Sequence, residues 1–169
     1  MWNDTDIPLA IFFTFRTYGT WLHGDERGSV DRHNNAYGSP RIPHIGHFEA
    51  ISRDRMKHAP VLLDGRRRHA TELGIREVCE KRGWKLYAIN VRTNHGHVVA
   101  AIGSYSPERA LSAMKAYATR RMREDKCWVE GHSPWAEKGS KRRLWNEKHI
   151  LDAVEYVVNG QGSELPRFD

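Results

Sequence analysis

The chain has 169 residues, 39% hydrophobic and 28% charged, with six Trp, six Tyr and five Phe, which suits a single core and argues against wholesale disorder. Lys and Arg outnumber Asp and Glu by 27 to 21, and the resulting net charge of +6 favours a polyanionic partner such as nucleic acid over a membrane surface. Cys79 and Cys127 form no CxxC, no apolar run approaches the ~18 residues that span a bilayer, and MWNDTDIPLA lacks a signal-peptide pattern, so disulfide, zinc-knuckle and membrane classes are excluded and a cytoplasmic protein is expected.

Residues 9–16 (LAIFFTFR) form an aromatic and β-branched run between Pro8 and Gly19, the pattern of a buried strand. From Tyr18 to about Pro60 the chain is rich in Gly, His, Asn, Arg and Pro without periodicity, which predicts a long excursion, about 18–60, within one domain, 1–169. Between Arg66 and Arg82, Thr71, Ile75, Val78 and Cys79 recur at helical spacing and Gly83 closes the segment. WKLYAINVR (84–92) and HGHVVAAI (95–102) read as two strands joined at Thr93 and Asn94 in an antiparallel hairpin.

Ser106 and Pro107 open a second helix running to about Glu124, with Leu111, Met114, Ala118 and Met122 on one face and a basic remainder. A loop over 125–140, a short strand at 142–146 (RRLWN) and a third helix over about 148–158 complete the chain. The order β, α, β, β, α, β, α predicts an α+β fold, a ferredoxin-like antiparallel sheet with helices packed on one face.

Side chains alternate across a strand, so His95 and His97 share one face, where two neutral imidazoles suit one divalent metal ion or simply face solvent. On the third helix Ile150, Ala153, Val154 and Val157 form an apolar stripe, and Tyr156 projects outside it. A tyrosine so placed is either an amphipathic surface ring or one free to hold its hydroxyl over a phosphate. No GxxxxGK[ST] segment and no GxGxxG after a strand is present, so no nucleotide site is expected.

The strand segment NHGHVV, the helix segment MKAYATRRM, Trp145 and the terminal AVEYVVNGQG together resemble, over roughly residues 9–162, the HUH single-tyrosine transposases. Within that superfamily the chain is most similar to the REP-associated tyrosine transposases and the small insertion-sequence transposases, and YGTWLHGDERGSVD resembles one branch of them. The resemblance implies the HUH endonuclease fold and a prokaryotic, nucleoid-associated enzyme. Such an enzyme cleaves and rejoins single-stranded or hairpin DNA through a 5′-phosphotyrosine, with Mg²⁺ or Mn²⁺ as cofactor.

By the same resemblance His95 and His97 are the metal pair and Tyr156 is the nucleophile. The family commonly places Gln or Asn four residues after the tyrosine; here position 160 is glycine, which makes Gln161 the candidate third ligand, with Asn159 behind it. Gly96 also departs from the bulky apolar residue usual between the histidines, so packing there must come from another residue, or a bulge must form. Tyr117, in KAYATRR, is the rival nucleophile and reads as packing or DNA stacking.

Candidate DNA contacts are Arg16, Tyr18, Trp21, Lys115, Arg120 and Arg121, with His23 and Arg27 beside the aromatic pair. The alternatives are a catalytically inactive DNA-binding protein of the same fold, or a HUH replication or conjugation nickase. A homodimer and a monomer both fit the chain.

Overall fold

A computed structural model of the chain describes residues 6–20, 56–163 and 165; Trp21, His23 and Arg27, with most of the 18–60 excursion, lie outside the described residues. The elements run β1 (Ala10–Arg16), α1 (Gly65–Arg82), β2 (Lys85–Val91), β3 (His95–Ala101), α2 (Pro107–Glu124), β4 (Ser140–Leu144) and α3 (Glu147–Asn159). Local chemistry sets their ends. Asp64, Ser106 and Asn146 cap the three helix N-termini by accepting from Arg67, Arg109 and His149 amides, and Gly83 ends α1 at a left-handed φ of 68°. The expected 142–146 strand is shifted to Ser140–Leu144, because Asn146 serves as the cap of α3 and leaves the ladder.

The four strands make one antiparallel sheet in the order β2-β3-β1-β4, the ferredoxin-like arrangement in which α1 and α2 each join strands separated by a neighbour. Adjacent residues of β1 serve different cores. Ile11, Phe13 and Phe15 face α1 and α2 with Val98 and Ala100, against Ile75, Val78, Met114, Ala118 and Met122. Ala10 and Phe12 face the other way, with Ala88, Val99 and Leu144, against Ile150, Ala153 and Val157 of α3. Helices on one face thus describes α1 and α2; α3 covers the opposite face, whose apolar residues extend over only part of the sheet.

The α1–α2 layer is tight because Gly74 lets the helices meet backbone to backbone: a Cβ there would lie 2.6 Å from the Tyr117 carbonyl oxygen and 2.9 Å from Ala118 Cα. Among the described residues no helix is long and apolar enough to cross a membrane.

Candidate active site

On the α3 side of the sheet, β3 carries His95 and His97 into register with Arg16 and Thr14 of β1. The stripe of Ile150, Ala153 and Val157 docks α3 over the neighbouring part of this face. Tyr156, outside that stripe, remains 48% exposed while its ring meets His97 edge-on at 5.5 Å and Phe12 at 5.9 Å. Phe12 also lies 5.4 Å from His97, so one buried ring supports both. The two imidazoles are 5.0 Å apart.

His97 is only 5% exposed, and burial, reinforced by the charge of His95 and opposed by a hydrogen bond with Gln161, pushes its pKa down to about 4. Its ring is therefore neutral at physiological pH, as a metal ligand must be. Beyond α3 the chain turns at Gly160, whose N–H bonds the Tyr156 carbonyl, and this brings Gln161 back over the strand. Gln161 Nε2 donates to that same carbonyl at 3.3 Å, which leaves Gln161 Oε1 facing His95 Nε2 at 3.2 Å. The expected pair, the tyrosine and Gln161 are thus brought together; Asn159 is exposed at the end of α3.

The donor set tests whether a metal fits. Among the described residues no cluster of three His, Cys, Asp or Glu side chains could hold one. Two imidazoles and an amide oxygen remain, all ligands of borderline or hard divalent ions, and the 3.2 Å between Gln161 Oε1 and His95 Nε2 suits neighbouring ligands of a small cation bound at about 2.1 Å. The set fits Mg²⁺ or Mn²⁺ with positions left for water and substrate.

Two departures seen in the sequence have a structural account. Gly96 is in regular register with Phe15 and Val91, so no bulge forms there; the one register shift between β2 and β3 lies at Leu86 and Ala88. The Phe15 ring supplies the packing, since a Cβ on residue 96 would lie 2.3 Å from Phe15 Cζ, and Trp135 meets that ring edge-on at 5.2 Å. The offset of five from Tyr156 to Gln161 works because the helix stops at Asn159 and the turn, not the helical repeat, directs the side chain.

Residues that the sequence reading passed over support the site. Asn90 Nδ2 donates to the Val157 carbonyl at 2.9 Å, tying α3 to β2, and Arg92 Nη2, just after β2, donates to the Ser163 carbonyl at 2.9 Å. The signal for Asn90 was a polar residue between Ile89 and Val91, a position that needs a partner when covered.

The cations of α2 lie across the sheet from Tyr156. Lys115 donates to the carbonyls of Ala136 and Lys138, and burial, with the nearby charges of Lys141 and Arg16, depresses its pKa to about 8. Arg120 pairs with Glu77 at 3.2 Å and stacks 4.4 Å from the Tyr117 ring centroid; Arg121 pairs with Asp125 at 3.2 Å. Tyr117 is on the same side, its ring also 5.6 Å from Lys81 Nζ. The Tyr18 hydroxyl accepts from the Lys57 amide at 3.0 Å, and its ring packs on His58 and His132. Arg16 stands opposite His95 in register at the end of β1, where its charge also reaches Lys115.

A family model described as IS200-like transposase matches residues 55–159 of the chain. Among solved structures, a REP-associated tyrosine transposase bound to a REP hairpin is similar with a TM-score of 0.48 at 12% identity, over 93% of this chain and 69% of that one. A search of curated proteins finds no match.

Proposed function

Because the chain belongs to the IS200-like transposase family, we propose that it cleaves and rejoins single-stranded DNA, at hairpin-containing sequences, through a covalent link to Tyr156 with a divalent metal held by His95, His97 and Gln161. The observation that carries this reading is the convergence of a half-exposed tyrosine from α3, two histidines from β3 and an amide oxygen from the turn after α3. The metal, Mg²⁺ or Mn²⁺, would neutralise a nonbridging phosphate oxygen and stabilise charge on the leaving 3′ oxygen.

Tyr156 supplies the nucleophile. Its phenol oxygen forms a bond to phosphorus as the bond to the 3′ oxygen breaks, leaving a 5′-phosphotyrosine and a free 3′-hydroxyl; the phenol proton departs to solvent or to the leaving oxygen. Attack by a 3′-hydroxyl on the phosphotyrosine reseals a strand and returns the tyrosine, so no nucleotide is consumed. Phe12 and His97 both meet the tyrosine ring edge-on, while about half of the residue stays exposed to a strand. His97 stays neutral through burial and so can donate its lone pair.

Single-stranded substrate fits a site beside α3 on this sheet face, which among the described residues no other helix covers, where a backbone could cross and place one phosphate near Tyr156 and the histidines. Arg16, opposite His95, and Arg142, opposite Phe12, stand in register positions suited to the neighbouring phosphates. The cations of α2 are assigned no part in the reaction.

The test is formation of an SDS-resistant adduct with labelled hairpin DNA and Mn²⁺. It should disappear with chelator and in Tyr156→Phe, and persist in Tyr117→Phe. An adduct retained by Tyr156→Phe overturns the assignment.

A further inference from the structure

We infer that Thr14 and Asn94 are positioning residues that hold His97 and His95 with their protons on Nδ1, so that both Nε2 lone pairs serve the metal. The inference rests on the metal site proposed above and assigns roles to two residues outside it.

A neutral imidazole carries one N–H, and the partner of one ring nitrogen decides which of the two it occupies. His95 Nδ1 lies 2.7 Å from Asn94 Oδ1, a carbonyl oxygen that can only accept, so Nδ1 donates and Nε2 keeps its lone pair. That lone pair faces Gln161 Oε1, whose orientation is set separately by the bond from Gln161 Nε2 to the Tyr156 carbonyl. Two acceptors therefore face each other, which a cation between them satisfies and a proton on Nδ1 requires. His97 Nδ1 lies 2.9 Å from Thr14 Oγ1, its cross-strand partner, a hydroxyl that can take either role; we assign it the acceptor role, which leaves Nε2 for the metal.

Both supports are themselves anchored. Thr14 is fixed by the β1–β3 ladder. Asn94 sits in the β2–β3 turn, where its carbonyl accepts from the Thr17 amide at 2.9 Å and from Thr17 Oγ1 at 3.1 Å, and Thr17 is fully buried. These bonds fix the Asn94 backbone from which the side chain reaches His95. Acceptors on Nδ1–H also raise the basicity of Nε2, and loss of such outer partners typically weakens metal binding about 10–100-fold.

The experiment uses the full chain, labelled with ¹⁵N and free of metal, at pH 8, where histidine correlation spectra report the tautomers. Both rings should show the Nδ1–H form; Thr14→Val should mix the tautomers of His97, and Thr14→Ser should restore it. Mn²⁺ titrations should show Thr14→Val and Asn94→Ala binding at least about tenfold more weakly, with Thr14→Ser and Asn94→Asp binding as wild type does. An Nε2–H form at either ring of the wild type, or undiminished Mn²⁺ affinity in Thr14→Val, overturns the inference. Nδ1–H rings in a wild type that binds no Mn²⁺ sustain the orientation and overturn the metal reading instead.

Discussion

Gly96 and Phe15 stand opposite each other in the β1–β3 ladder, and the phenylalanine ring fills the volume that a side chain at 96 would need. The core side of the histidine strand is therefore packed from its neighbour. Gly96→Val should destabilise the protein by about 1–3 kcal/mol through overpacking. Combined with Phe15→Ala, it should cost less than the sum of the two single changes, as a double-mutant cycle by urea denaturation would show. A cycle with no coupling would mean that the ring does not occupy that space in solution.

Asn90 is the tether of the nucleophile helix. Asn90→Ala removes its bond to the Val157 carbonyl, one of the last carbonyls of α3, and should cost about 1 kcal/mol. The same change should lower the yield of covalent adduct by more than the loss of stability explains, since Tyr156 precedes Val157 directly. Adduct yield and urea midpoint measured on one preparation separate the two effects.

Lys115 gives a pH dependence whose sign follows from its environment. Its folded pKa of about 8 lies below the unfolded value of 10.5, so between those limits the unfolded chain binds more protons. Below pH 8 the cost of the buried cation is fully present; as pH rises toward 10.5 it is relieved, and this contribution to stability grows. Wild type should therefore gain stability over that window relative to Lys115→Met, as thermal melts at several pH values would show.

DNA binding should weaken steeply with salt, because Arg16 and Arg142 would release counterions from the backbone. Filter binding of single-stranded DNA across a salt series should give a steep line for wild type and a shallower one for Arg16→Ala. A flat wild-type profile would contradict an electrostatic interface.

Most boundaries were legible in the sequence because their causes are local. Ser106 before Pro107, Gly83 after a helical pattern and the alternation in HGHVVAAI each act within a few residues. The face taken by α3 was not legible, since its stripe of Ile150, Ala153 and Val157 needs an apolar partner but does not say which side of the sheet offers one. Nor was the use of Lys115: its two carbonyl partners come from a loop without periodicity, and only folding brings them to α2. Within the site, His95 and His97 followed from strand alternation, whereas the return of Gln161 depended on where α3 stops.

The alternation along β1 has a consequence for what changes in length the chain can absorb. Ile11, Phe13 and Phe15 build one core, while Phe12 and Thr14 support the nucleophile and His97. Inserting or deleting a single residue within Ala10–Arg16 would exchange the two sets, placing Thr14 in the apolar layer and a phenylalanine against the imidazole. A two-residue change would restore the alternation but displace every contact along the strand. Length variants of β1 should therefore lose fold and activity together.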